Sequence, residues 1–362
     1  MFKILAKDGK ARVGKLKTAH GWIETPFFMP VATRATGKYL TPEDYHEMKA
    51  PAIICNAYIL SCRPGIDIVK QAGGLHTFMN YKGVIFTDCG GFQVSRKMHQ
   101  ITSKKALHFK DPFFGKTDVI TPKKIMEIEQ TLGADVVMAL DDMPKYGASL
   151  KEVQKSLDNT HRWMKESKQH HTKKDQLLFG ICQGGFYQET REASAKVINS
   201  LDFDGNAIGG VAIGEPKEDM YNAIHWAVPH LTEKKPRYLM GVGSPVDLVE
   251  CVSLGIDCFD SVYPTQSGRH NTVFTSKGFM YLDGAVYKDD FAPIEKNCKC
   301  HCCKNYTRAY LNHLIKINEP MAKRLKSIHN LYFLTQLMED VKKAIREGRL
   351  EKFKEKIKKQ FS

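Results

Sequence analysis

Four of the chain's ten cysteines fall in the run Cys298-Lys299-Cys300-His301-Cys302-Cys303, and a histidine recurs at long range in Ile328-His329-Asn330. A Cys-x-Cys-x-x-Cys group offers three soft thiolates. One imidazole would complete the tetrahedral set of three sulfurs and one nitrogen that suits zinc. With every position filled by protein, no place is left for water, and such a zinc is structural. Spacing alone leaves open which three of the clustered cysteines bind, and whether His301 or His329 is the fourth ligand. The ring of His301, inside the tight loop, would compete for space with the thiolates.

Two carboxylates stand out by their flanks. Thr87-Asp88-Cys89-Gly90-Gly91-Phe92-Gln93 sets an aspartate before a Gly-Gly pair, which lets a planar ligand approach the backbone closely. Phe259-Asp260-Ser261-Val262-Tyr263-Pro264-Thr265 sets another after an apolar run, followed by a basic loop with Arg269 and His270. Two carboxylates across one pocket suit displacement at a sugar anomeric carbon. One attacks C1′ and the other handles protons on the departing group.

The elements that must position these residues are eight short apolar runs: 27–31, 52–55, 84–87, 136–140, 177–182, 207–208, 238–240 and 256–259. Runs of that length without clean alternation are what strands buried on both faces look like, and parallel strands need a crossover, usually helical, between them. Eight such units predict an α/β fold, a (β/α)8 barrel. In that fold chemistry collects at the C-terminal ends of the strands, so Asn56, Asp88, Asp141, Gln183, Gly210 and Asp260 face one mouth. Any one of them alone would be explained as a turn residue after a strand; the convergence of six is what points to a site. Between the runs, Thr121-Pro122 opens a helix that Gly133 closes, and Ser149 with Glu152 forms a capping box that starts another.

After about residue 280 the texture changes. Asp289-Asp290 and Pro293 lead into the cysteines, and Glu339–Ser362 reads as one charged helix with Val341, Ile345, Leu350, Phe353, Ile357 and Phe361 on one face. The division expected is an N-terminal segment and barrel over 1–285, a zinc-binding subdomain over 286–331, and a basic helix over 332–362 that packs back on the barrel.

Composition bounds the rest. The 362 residues carry 54 Lys and Arg against 40 Asp and Glu, a net +14, with 42% hydrophobic residues and a mean hydropathy of -0.37. These values describe a folded soluble protein rather than a disordered one, and the charge surplus favours a polyanionic partner. No apolar run approaches the roughly 20 residues that span a bilayer, and Met1–Leu5 leads straight into Lys7, Asp8 and Lys10 without a signal-peptide core. A cytoplasmic location follows, where ten cysteines argue against a disulfide framework. No Walker or Rossmann glycine pattern is present.

From about Gly9 to the C-terminus the residues resemble the tRNA-guanine transglycosylases of the bacterial type. The likeness runs through Phe28-Met29-Pro30-Val31, Arg63-Pro64-Gly65, the Asp88 segment, Phe179-Gly180-Ile181-Cys182-Gln183-Gly184 and Ala207-Ile208-Gly209-Gly210. It continues in Gly214-Glu215-Pro216-Lys217, Arg237-Tyr238-Leu239-Met240-Gly241-Val242-Gly243, Asp260 with Pro264-Thr265, the cysteine cluster and Ile328-His329-Asn330. The resemblance implies a (β/α)8 barrel with a C-terminal zinc-binding subdomain that exchanges guanine at the wobble position of tRNA for a 7-deazaguanine, and a homodimer. By the same resemblance Asp260 is the nucleophile and Asp88 the general acid/base. Asp141, Gln183 and the backbone of Gly210 read the purine edge, Phe92 and Met240 sandwich the ring, and Asn56 belongs to the same pocket. Arg269 faces RNA. Cys298, Cys300, Cys303 and His329 match the family's zinc ligands, which leaves Cys302 and His301 as bystanders.

Several positions depart from the family's usual residues: Cys89 for Ser, Ile59 for His, Met143 for Cys, and Gln266 in a loop that usually carries two arginines. They bear on the base accepted and on RNA contact at that loop. Ile213 stands where bacterial-type members carry a branched aliphatic residue and queuine-using eukaryotic ones a glycine. A stiff β-branched side chain there favours the small base preQ1 over queuine, while the pliable Met143 works the other way. The rival readings are a queuine-accepting salvage enzyme and a non-catalytic tRNA-binding partner subunit; the latter has no chemical need for both Asp88 and Asp260.

Overall fold

The structure, a computed structural model, describes residues 1–90, 101–103, 105–110, 115 and 117–362. Strands β1 (Phe2–Asp8), β2 (Ala11–Thr18) and β3 (Gly21–Thr25) form an antiparallel meander. The chain then enters the barrel with β4 (Phe27–Pro30), β5 (Ala52–Asn56) and β6 (Val84–Asp88). A small antiparallel sheet of β7 (Ile101–Thr102), β8 (Leu107–Lys110) and β9 (Thr117–Ile120) interrupts it. The barrel resumes with β10 (Val136–Met138), β11 (Leu177–Cys182), β12 (Gly205–Ile208), β13 (Arg237–Leu239) and β14 (Cys258–Ser261), and a hairpin of β15 (Thr272–Thr275) and β16 (Gly278–Tyr281) follows.

The eight barrel strands lie in the order β4-β14-β13-β12-β11-β10-β6-β5, all parallel, and a bridge between Val31 and Ile54 returns the last to the first. These are the eight apolar runs of the sequence. Helices cross between most of them. One is Pro122–Leu132, whose first turn is capped by the Thr121 hydroxyl; another is Leu150–His170, opened by the Ser149–Glu152 capping box. The fold is therefore the expected (β/α)8 barrel.

Four aromatic side chains plug its interior. Phe27, Phe86, Phe179 and Tyr238 are fully buried, with Phe86 centred 6.1, 6.0 and 6.2 Å from the rings of Phe27, Phe179 and Tyr238. They come from the first, third, fifth and seventh barrel strands, as one layer of such a barrel requires. The layer fills the interior with apolar rings, and the polar residues gather beyond it.

At the opposite end, Asp135 accepts from the backbone N–H of Ile85 and of His20, each at 2.9 Å, and meets the rings of His20 and His76 at 2.9 and 3.1 Å. The two imidazoles stack 3.6 Å apart and nearly parallel. A metal lies in the plane of each imidazole that binds it, and stacked planes share no such point. This trio is a hydrogen-bonded clamp between the meander and the barrel floor.

The C-terminal region departs from the sequence reading in two ways. The tail is two helices, Pro320–Arg346 and Leu350–Phe361, parted at Gly348, rather than one over 339–362. Its apolar face holds: Val341, Ile345, Leu350, Phe353 and Ile357 are buried. The basic loop after Asp260 is a short helix, Tyr263–Arg269, packed on Pro320–Arg346. That long helix also lies against β1, β2 and β4 and runs unbroken past position 331, so it joins the cysteine region to the barrel.

Candidate active site and metal centre

Asp260 sits near the end of β14. One of its oxygens, Oδ1, accepts from the hydroxyl of Tyr238 at 2.5 Å and from the N–H of Gly241 at 3.0 Å. The register explains the reach. Tyr238 pairs with Cys258, Asp260 lies two residues on and on the same face, and a tyrosine is long enough to cover that step. Burial raises the Asp260 carboxyl, and the bonds from Tyr238 and Gly241 pull it back only in part. Burial also pushes the Tyr238 phenol well up, followed by the charges of Asp260 and, more weakly, Asp88, so it remains a donor. Tyr238 thus feels both carboxylates.

Asp88 ends β6 beside Asn56, which ends β5 directly opposite it. The Asn56 amide oxygen is occupied by the N–H of Ile59 at 2.7 Å, so its amide nitrogen turns to Asp88 Oδ1 at 2.5 Å, with the Gly90 N–H at 2.8 Å. The side chain of Asn56 caps one helix and fixes one carboxylate together. Gly90 also has a packing reason to be glycine. Its φ is +88°, and a Cβ there would come within 2.5 Å of Tyr58, so the glycine serves close packing inside the protein.

Across the mouth, Gln183 donates to Asp141 Oδ2 at 2.6 Å, while the Cys89 thiol reaches Asp141 Oδ1 at 3.6 Å. Cys89 therefore supplies Asp141 with a donor. Burial and the neighbouring Asp142 push Asp141 up against the pull of Gln183 and Cys89, to about 6. Gly210 has φ +67°, and a Cβ there would lie 2.4 Å from Gln183 Oε1, so only glycine lets the amide lie flat against this turn. A carboxylate, an amide and a bare backbone in one place match the donor and acceptor edge of a purine.

Met240 follows β13, half-buried next to Gly241. Arg269 is half-buried at the end of the Tyr263–Arg269 helix, and Gln266 is exposed one turn earlier. Ile59 is buried, Met143 is half-buried, and Ile213 is half-buried with its N–H held by Glu215 at 2.8 Å. Phe92 lies outside the described residues. Sequence reasoning missed Tyr238 and the N–H of Gly241. The signal for Tyr238 was a hydroxyl-bearing residue in an otherwise apolar run one strand from Asp260.

At the metal centre, His329 Nδ1 lies 3.8, 3.6 and 3.3 Å from the sulfurs of Cys298, Cys300 and Cys303. Tetrahedral zinc bonds put such sulfur–nitrogen edges at about 3.6 Å, so the set fits the ion. The other ring nitrogen of His329 donates to the Phe274 carbonyl at 2.7 Å, which turns Nδ1 towards the thiolates. Cys302 is buried away from this group, and the His301 ring faces Glu47 at 4.0 Å. Here the fold decides between the two histidines.

Comparison with known proteins agrees with the geometry. The family described as queuine tRNA-ribosyltransferase matches residues 7–362. A queuine tRNA-ribosyltransferase of Geobacillus kaustophilus is 49% identical over 349 residues, 96% of this chain and 92% of that protein. Proteins of the same name from Desulforamulus reducens and Staphylococcus haemolyticus are each 47% identical, over 98% of this chain and over 96% and 94% of their own lengths. Matched from end to end and carrying its polar residues at the strand ends of the expected barrel, the chain belongs to the queuine tRNA-ribosyltransferase family.

Proposed function

We propose that the chain is a tRNA-guanine transglycosylase that replaces guanine at the anticodon wobble position with preQ1 through a ribosyl bond to Asp260. The observation that carries this reading is the Asp260 carboxylate, held by one oxygen between Tyr238 and Gly241 with Oδ2 left to react. In the first step Oδ2 attacks C1′ as the bond to N9 breaks. The purine leaves with that electron pair and takes a proton from Asp88. The incoming base gives a proton back to Asp88, and its N9 displaces the carboxylate. Two inversions retain the configuration at C1′.

Asp141, Gln183 and Gly210 read the base, with Phe92 and Met240 as its apolar walls and Asn56 orienting Asp88. Arg269 and the net charge of +14 serve the anticodon-loop phosphates. Cys298, Cys300, Cys303 and His329 would hold one structural zinc, which fastens the helix Pro320–Arg346 to the cysteine loop. Among the described residues no helix is long and apolar enough to cross a membrane, and the cytoplasm is where we place the enzyme with its tRNA. Exposed Tyr281, Val286 and Phe291, in the segment before the cysteines, support a homodimer.

The deciding experiment is base exchange on tRNA with labelled guanine, preQ1 and queuine. Guanine exchange with a kcat/KM favouring preQ1 is expected, with the gap narrowed in Ile213→Gly. Absence of guanine exchange would remove the proposed reaction; a preference for queuine would remove the assigned base only.

A further inference from the structure

Arg191 is fully buried on the helix Gln188–Ser200, and among the described residues it makes no ion pair. Burial of an unpaired guanidinium is costly, and burial draws the pKa of this one down. What the group does instead is hold backbone. Its Nε donates to the Gly185 carbonyl at 2.9 Å, and its Nη1 donates to the carbonyls of both Cys182 and Gly209, each at 2.9 Å. Nη2 has no partner among the described residues and lies 3.5 Å from where a Cβ on Gly210 would be.

Those carbonyls belong to informative peptides. Cys182 and Gly209 immediately precede Gln183 and Gly210, the two groups proposed to read the purine on neighbouring strands. In a trans peptide the N–H and C=O point in opposite directions. With the Gly209 carbonyl turned to Arg191, the Gly210 N–H is aimed away from the helix, and among the described residues it makes no hydrogen bond. The second clamp fixes the peptide from which the Gln183 side chain departs.

We infer that Arg191 is a positioning residue for base recognition: its planar fork locks the ends of β11 and β12 together and aims the Gly210 N–H and the Gln183 amide at the purine. The inference rests on the proposed function. Lysine cannot replace it, because a single ammonium does not present donors in the fixed plane that three carbonyls around one guanidinium require.

The test is Arg191→Lys beside Arg191→Met, with thermal unfolding and zinc content measured on both and exchange kinetics resolved into separate KM values for guanine and for tRNA. The expected result is a folded R191K protein whose KM for guanine rises by about tenfold or more, the worth of one well-aimed hydrogen bond, while its KM for tRNA stays within about twofold. A wild-type KM for guanine in R191K would overturn the inference. So would a proportional rise in both KM values, or an R191K protein that does not fold, since either assigns Arg191 to the scaffold at large. A wild-type chain that exchanges no guanine overturns the function as well; an active wild type with unaffected variants overturns this inference alone.

Discussion

Tyr238 donates its hydroxyl to Asp260 across 2.5 Å, from a barrel strand to its neighbour, and the same phenol belongs to the aromatic layer that plugs the barrel. One residue therefore couples the packing of the interior to the orientation of the reactive carboxylate. Tyr238→Phe keeps the ring and removes the bond. A hydrogen bond to a charged group contributes about 1.5–3 kcal/mol, so the variant should lose stability of that order, and kcat should fall because the carboxylate is no longer held in its attacking orientation. The bond lowers the Asp260 pKa, and without it the acidic limb of the kcat profile should move to higher pH. An unchanged profile would show that the bond does not set the charge of Asp260.

Exchange without net hydrolysis requires that the ribose be held while one base leaves and another enters. Denaturing electrophoresis of enzyme with tRNA should show a protein–RNA adduct for the native chain and none for Asp260→Asn. An adduct that persists in the variant places the nucleophile elsewhere.

Asp141 gives base binding its own pH dependence. With its carboxyl pushed up to about 6, it is charged above that pH and accepts from purine N–H groups; below it, the neutral acid loses that capacity. KM for guanine should therefore rise as pH falls through about 6, by up to tenfold per unit, and Asp141→Asn should abolish this limb. The sign for folding is the reverse. A carboxyl raised in the folded state contributes stability at low pH that is lost as pH rises through about 6. Asp141→Asn should therefore unfold at a higher temperature than wild type at pH 8 while binding base worse. A flat KM profile in the native enzyme would show that Asp141 does not carry the base contact.

The metal centre separates ligands from neighbours. Metal analysis of Cys302→Ser should return one zinc per chain, whereas Cys300→Ser and His329→Ala should lose it and loosen the C-terminal helices. The unfolding transition of those two variants should broaden or split. Loss of zinc from the Cys302 variant with retention in the Cys300 variant would exchange their roles.

The sequence by itself determined the barrel and its polar end. A strand buried on both faces must be apolar throughout, so the eight runs were visible without neighbours, and the residue after each run is fixed at a strand end whatever else happens. Asn56, Asp88, Asp141, Gln183, Gly210 and Asp260 could be read in that way. Only the tertiary structure decided which atoms meet. Whether His301 or His329 faces the thiolates depends on the helix Pro320–Arg346 returning to the cysteine loop, a contact no local spacing encodes. That Tyr238 reaches Asp260 depends on strand register, and that Arg191 holds Cys182 and Gly209 depends on a helix packing beneath two strand ends. The single helix read over 339–362 failed for a related reason: the apolar face continues across Gly348, but the chain turns there to lay Leu350–Phe361 on the helix Pro245–Ser253. Periodicity reports which face of a segment is buried; closure of the eight strands and the return of the chain on itself determine what that face is buried against.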